Sequence, residues 1–244
     1  MEKWLLILGA NSDIAIATAH QFSSFGWNIM LCSRNVENLQ RVAADLHIRH
    51  NVQVKVMYFD ASDFGSHRAF YEGLPKQPDG VILAFGYLGD QYRAQADFQE
   101  SREIINVNYS GAVSILEIIS VKMEAAQKGF IVGVSSVAGD RGRASNYIYG
   151  SAKGAFSVYL SGLRHRMFAS NVSVLTVKPG FVATKMTADL NLPKLLTADP
   201  EQVAKAIYGG VQKRKNVIYV KPIWQLIMTV IQLLPEFIFK RTKL

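Results

Sequence analysis

The chain has one cysteine, Cys32, in 244 residues, so an internal disulfide is excluded and an apolar core must hold the fold. Cys32 lies in an apolar run, where a buried structural thiol is expected rather than a reactive one. No zinc-finger spacing of Cys and His occurs, no helix-turn-helix signature, and no long Lys/Arg block interleaved with aromatics. These absences argue against a nucleic-acid partner, and no metal site is expected. Internal repeats, low-complexity tracts and Gly/Ser linkers are missing, which leaves one domain, as is common for α/β chains of roughly 200–250 residues. No signal peptide precedes the first apolar run, so the expected location is the reducing cytoplasm. The apolar tail falls short of the about 20 clean residues a membrane span needs, because Gln225, Gln232, Pro235 and Glu236 interrupt it.

What is present is apolar and basic. Hydrophobic residues make up 49% of the chain and the net charge is +8. The cations gather late, at Lys213-Arg214-Lys215, Lys221 and Lys240-Arg241-Thr242-Lys243. Short apolar runs at Leu5–Leu8, Asn28–Cys32, Val52–Tyr58, Gly80–Ala84, Gly129–Val134, Ser173–Val177 and Val217–Val220 read as strands. Helical spacing marks Ile14–Phe25, Val36–His47, Phe64–Leu74, Ile104–Gln127, Tyr149–Ala169 and Glu201–Gln212. This alternation predicts an α/β fold, a doubly wound parallel sheet with helices on both faces. Ligands of such sheets bind beyond the carboxyl ends of the strands, at the switch point.

Tyr149 and Lys153 lie four residues apart on one predicted helix, so phenol and ammonium share a face. An adjacent cation favours the phenolate, and the tyrosine pKa is expected to fall from its usual ~10. Ser136 stands thirteen residues upstream, in a loop that follows the apolar strand. The first strand ends at Gly9-Ala10-Asn11-Ser12-Asp13-Ile14-Ala15, a turn whose N–H groups would meet a pyrophosphate at a helix N-terminus. With Asn108 in Asn106-Val107-Asn108-Tyr109, residues 3 to about 220 resemble the short-chain dehydrogenase/reductase family. The resemblance implies a Rossmann-like fold and a four-part site. Tyr149 would be the general acid of carbonyl reduction and Ser136 would polarise the carbonyl. Lys153 would hold the nicotinamide ribose and tune Tyr149, and Asn108 would orient a water leading from Lys153 to solvent.

The resemblance also implies a cofactor site at Gly9, Asn11, Ser12, Asp13, Ile14, Ser33, Arg34, Asp60, Ala61, Ala84, Phe85, Gly86, Tyr149, Lys153, Pro179, Gly180, Val182 and Thr184. The family's turn has three glycines, at the places of Gly9, Asp13 and Ala15. Asp13 would either cap the helix or set a carboxylate against the diphosphate. No acidic residue ends the second strand before Glu37. Arg34, aided by the Ser33 hydroxyl, would instead pair with a 2′-phosphate, so NADPH/NADP is the expected cofactor. Asp60 would accept from the adenine amine. Leu83-Ala84-Phe85-Gly86 replaces the family's Asn-Asn-Ala-Gly. Val182 and Thr184 would contact the carboxamide and diphosphate.

Lys185–Pro200 is the expected lid, where Met186, Leu190, Leu192, Leu195 and Leu196 suggest an apolar or large substrate, or pack on the core. The tail, 223–244, is read as an extension to a 1–222 catalytic domain. It would lie in a membrane interface with its cations on anionic headgroups, or be buried against the domain or a second subunit. Phe156, Tyr159, Leu160 and Leu163 form a stripe explained by core packing, and a homodimer or homotetramer is expected by family analogy. Residues 83–90, the loop Ala138–Asn146 and the tail are similar to the decaprenylphosphoryl-2-keto-ribose reductase subfamily. That likeness implies a keto-sugar-lipid substrate, an oxidase acting upstream, and a place at the inner face of the membrane. Arg141 and Arg143 would then meet the sugar phosphate, or be solvated loop residues. A 3-oxoacyl, fatty or steroid-like ketone is the alternative substrate, and a non-catalytic NADP(H)-binding regulator is a further reading.

Overall fold

The computed structural model describes residues 2–187 and 192–242; Leu190 of the expected lid and Lys243 of the basic tail lie outside them. The strands are β1 (Trp4–Leu8), β2 (Asn28–Ser33), β3 (Val54–Tyr58), β4 (Gly80–Leu83), β5 (Phe130–Val134), β6 (Ser173–Pro179), the short pair β7 (Phe181–Val182) and β8 (Thr197–Ala198), and β9 (Val217–Val220). Seven of them form one sheet in the order β3-β2-β1-β4-β5-β6-β9, every neighbouring pair parallel. The order reverses between β1 and β4, which sets the binding crevice at their carboxyl ends.

The helices are α1 (Asp13–Ser23), α2 (Val36–His50), α3 (His67–Glu72), α4 (Gln91–Ala96), α5 (Phe98–Ile105), α6 (Gly111–Ala126), α7 (Tyr147–Met167), α8 (Pro200–Gln212), α9 (Ile223–Leu233) and α10 (Glu236–Phe239). Alternate strand residues point to opposite faces, and both faces of this sheet are covered, as parallel sheets require. Trp4, Leu6 and Leu8 pack with residues of α3, α6 and α7. Leu5 and Ile7 pack with residues of α1, α2 and α8. Cys32 is fully buried, and burial pushes its thiol pKa up, which leaves it a structural residue. The stripe of α7 serves the core: Phe156, Leu160 and Leu163 are buried, and Tyr159 donates to Glu117 Oε1 at 2.7 Å.

Three segments differ from expectation. The helix expected from Phe64 starts at His67, because the backbone of Asp60–Ser66 closes two turns first. The helix expected from Ile104 starts earlier, at Phe98, where the Asp97 carboxylate caps it by accepting from Gln99 N–H. That long helix is broken by a π-helical turn, Asn106–Ser110, before α6 continues. Phe98–Ala126 as a whole is long and apolar enough to cross a membrane, yet Ile115, Leu116 and Ile119 are spent on the core. Helix α4, capped by Asp90, was not expected.

The tail forms α9 and α10, parted at Leu234-Pro235. Trp224, Met228 and Ile231 of α9 are buried in a small core with Val137. Leu226, Val230 and Leu233 on its other side are exposed.

Candidate active site

The sheet brings most of the expected residues to one cleft. Asn11, Ser12, Asp13, Ile14, Ala84, Phe85, Gly86, Ser136, Tyr149, Lys153, Pro179, Gly180, Val182 and Thr184 all line it. Gly9, Ser33, Arg34, Asp60, Ala61 and Asn108 stand outside that lining. Gly9 lies beneath it at φ +83°, and a Cβ there would come within 2.4 Å of the Phe85 backbone nitrogen. Glycine alone permits both the left-handed backbone and that approach. Phe85 and Ala84 therefore sit directly on the turn, with the Ala84 N–H donating to Leu8 C=O.

Ser12, not Asp13, caps α1: its Oγ accepts from Ala15 N–H at 3.1 Å. Capping by Asp13 is thus corrected, because Asp13 is already the first helical residue. Its carboxylate reaches across the cleft instead, where Oδ2 accepts from Lys185 N–H at 2.8 Å and Oδ1 lies 3.7 Å from Lys185 Nζ. The N–H groups of Asp13 and Ile14 meet no acceptor among the described residues, as expected of a helix start. Such free donors, beside a turn pressed flat by Gly9, fit a diphosphate. Asn11 is occupied otherwise. Its amide donates to Ser33 Oγ and to Asn35 C=O and accepts from Asn38 Nδ2, pinning the turn to the end of β2.

Ser33 accepts from Asn11, which leaves its own proton free to donate. Arg34 is exposed and has no ion-pair partner among the described residues. Beyond β3, Asp60 Oδ1 accepts from Ser62 N–H, and the Asp60 carbonyl lies 3.0 Å from Nε2 of the buried His67.

On the chemical side, α7 presents Tyr149 and Lys153 on one face, as their spacing requires. Lys153 is 3% exposed and its Nζ donates to Val134 C=O at 3.1 Å. Burial lowers its pKa to about 8. Its backbone carbonyl accepts from Ser135 Oγ and Ser157 Oγ, which fixes the helix against β5. Tyr149 behaves opposite to the sequence expectation. Burial pushes its pKa up to about 12, with the neighbouring Ser136 hydroxyl pulling the other way. The reason is geometric: Lys153 Nζ is 5.8 Å from the Tyr149 ring centre and committed to Val134. Ser136 itself accepts from Ala138 N–H at 3.1 Å, opening a short 3-10 turn, Val137–Gly139.

Asn108 is buried in the π-helical turn, where the extra residue turns its side chain inward. Its amide donates to Tyr87 C=O and Ile104 C=O and accepts from Tyr87 N–H. Gly86 packs closely between Asn108 and Lys153, since a Cβ there would lie 3.0 Å from Asn108 Oδ1 and 3.3 Å from Lys153 Nζ and crowd both side chains. The Tyr87–Asp90 loop is held as well by Glu100, whose Oε1 accepts from Tyr87 OH and Asp90 N–H.

The far wall was not foreseen. Thr187 Oγ1 donates to the Val182 carbonyl and accepts from Thr184 N–H, so both expected cofactor contacts are tied to it. A second hydroxyl three residues after Thr184 was the signal available in the sequence. Trp224 of α9 lies over Gly180, where a Cβ would come within 2.0 Å of the indole, and its Nε1–H donates to Leu196 C=O. The tail thereby walls the cleft. Leu195 and Met186 are exposed, and Leu196 packs with α9. Arg141 does not face the cleft. Its guanidinium donates to the carbonyls of Ile231 and Leu234 and to Glu236. Arg143 lines the cleft.

The family model for short chain dehydrogenase matches residues 3–194. The chain is a short-chain dehydrogenase. It is accordingly an NAD(P)-dependent oxidoreductase. This short-chain dehydrogenase is 34% identical over 240 residues to an uncharacterised oxidoreductase of Mycobacterium tuberculosis, covering 97% of this chain and 96% of that protein. It is 28% identical over 223 residues to very-long-chain 3-oxoacyl-CoA reductase-A of Danio rerio, covering 88% and 69% of the two. Its fold is shared by a short-chain dehydrogenase from Sphingobium yanoikuyae in complex with NADPH, at TM-score 0.83 and 20% identity over 96% of this chain and 97% of that one.

Proposed function

We propose that this short-chain dehydrogenase is an NADPH-dependent carbonyl reductase whose substrate is the keto-sugar of a polyprenyl-phosphate pentose. The observation that carries the reading is the meeting of Ser136, Tyr149 and Lys153 in a cleft whose opposite wall, Phe181 and Trp224, is apolar and continues into the tail. A phenol with its pKa near 12 is protonated at neutral pH, which suits Tyr149 to give a proton to the oxygen of the reduced carbonyl. Ser136 donates to that oxygen and polarises the carbonyl. Lys153, with a pKa of about 8, holds the ribose hydroxyls and exchanges protons near working pH. Reduced nicotinamide supplies the hydride. Its phosphates would be held by the free N–H groups of Asp13 and Ile14, its 2′-phosphate by Arg34 and Ser33, and its adenine by Asp60 and Ala61. Gly9, Asn11 and Ser12 shape that turn. Ala84, Phe85, Gly86, Pro179, Gly180, Val182 and Thr184 form the walls, and Asn108 backs Lys153.

The exposed stripe Leu226, Val230, Leu233 and Phe237, flanked by Lys221, Lys240 and Arg241, supports a seat for residues 223–244 on the inner face of the cytoplasmic membrane. A lipid-linked substrate would then reach the cleft from that side, after an upstream oxidase has made the ketone. A homodimer or homotetramer is the assembly proposed, by family analogy. The likeness to the Danio rerio reductase favours one second reading, reduction of a long-chain 3-oxoacyl thioester.

NADPH oxidation separates these with a short-chain prenylphosphoryl-2-keto-pentose, a 3-oxoacyl thioester and a panel of simple ketones. Turnover of the keto-sugar, falling by about 10³ in Tyr149→Phe, is expected. Turnover of the thioester alone would move the assignment to the second reading. A chain that binds NADPH and reduces nothing would be a regulator.

A further inference from the structure

The loop between Ser136 and α7 carries Asp140, Arg141 and Arg143, and the fold satisfies the first two. The carboxylate of Asp140 takes the ammonium of Lys178 and, at 2.8 Å, the phenol of Tyr219. Arg141 turns outward, pairs with Glu236 at 2.9 Å and lies 3.8 Å over the Phe239 ring. Arg143 stands on the cleft wall and is in no ion pair among the described residues. Its Nε is shut from solvent with no acceptor among the described residues, and Oδ1 of Asn146 on the same wall is likewise shut off with no donor among them. Burial lowers the Arg143 pKa, against the pull of Asp140. The charge of Asp140 is already answered by Lys178, so the guanidinium, like the Lys153 ammonium deeper in the cleft, has no counter-charge among the described residues.

Orphaned buried polar atoms are rare in folded proteins, and a partly buried cation without a counter-charge is costly unless a ligand supplies one. The two orphans share a lining with Tyr149 and with the apolar Leu88 and Trp224. We infer that Arg143 recognises an oxyanion, a carboxylate or a phosphate, carried by the carbonyl substrate itself, and thereby sets the specificity of the reduction. This rests on the reductase reading of the same cleft and gives it a substrate class, an apolar ketone bearing an anionic oxygen group. Asn146 would accept from a hydroxyl or N–H next to that group.

The test takes the full chain with NADPH and three ketones of one chain length, ending in a neutral ester, a carboxylate and a phosphate monoester. The wild type should favour an anionic ketone over the ester by about 30-fold in kcat/KM, the scale of a charge-assisted pair. Arg143→Gln should erase that ratio through KM, and Arg143→Lys should restore part of it, since charge returns without the fork. Preference between carboxylate and phosphate names the source of the anion. Equal use of ester and anion by the wild type, or an unchanged ratio in Arg143→Gln, would overturn the assignment. Inorganic phosphate and acetate should each be tried for raising the melting temperature of the NADPH complex in the wild type but not in Arg143→Gln. That readout stands even if no ketone is reduced, so failure of the reductase reading and failure of the anion site are told apart. No stabilisation by either anion would count against the site.

Discussion

On one side of the cleft, Asp13 holds the Lys185 backbone and Thr187 holds Val182 and Thr184; on the other, Arg143 and Asn146 have buried polar atoms with no partner among the described residues. A group satisfied within the chain must break that contact before it serves a ligand, whereas an unsatisfied one gains a partner outright. A cofactor meeting Val182 and Thr184 would therefore compete with Thr187, whereas the N–H groups of Asp13 and Ile14 have no bond to give up among the described residues. Recognition at the chemical end uses groups that are already bare.

Three measurements sharpen or break this contrast. Arg34 is an expected cofactor contact whose guanidinium has no ion-pair partner among the described residues. Arg34→Leu should weaken NADPH binding by about 10–100-fold, the range of charge-assisted bonds, while NADH binding stays within about twofold. Fluorescence titration reads both constants, and equal losses would make Arg34 a plain surface residue. Asp13→Asn keeps an acceptor for the Lys185 N–H and removes the charge. NADPH should bind about fivefold more tightly at low ionic strength, with the gain shrinking as salt is added. An unchanged constant would mean that the carboxylate is turned fully away from the phosphates.

The third measurement concerns Lys153 and reads stability rather than binding. Burial sets its folded pKa at about 8, below its ordinary value, so the unfolded chain binds the proton more tightly. Stability without cofactor should thus rise with pH between about 8 and about 10.4, by at most about 1.4 kcal/mol per pH unit. Below about 8 both states are protonated and the contribution is gone. Urea unfolding of wild type and Lys153→Met across that window reads the difference. A flat difference would mean that Lys153 is not desolvated in the free protein.

The legible parts of the molecule were those written in local spacing. Apolar runs gave the strands, and four-residue spacing put Tyr149 and Lys153 on one face of α7. The partners of polar side chains were not legible, because they depend on which distant segments the fold brings together. Asp13 finds Lys185 at a separation of 172 residues, and Arg141 finds the end of α9 about 90 residues on. The same holds for the tyrosine pKa: spacing alone pointed to a lysine that lowers it, while the fold gave that lysine to Val134 and buried the phenol. The π-helical turn around Asn108 depends likewise on the packing of α5 and α6 and has no composition of its own.

Trp224 resting on Gly180, with Arg141 clamped to the far end of the same helix, makes α9 part of the cleft's architecture rather than an appendage. Shortening the chain after residue 222 to improve handling would leave a cleft with one side open to water. A tag fused at the C-terminus would load a helix that touches Gly180 and Leu196. The Trp224 indole joins α9 to the cleft wall, so anything that shifts this helix would be felt in the cleft and in any assay of turnover.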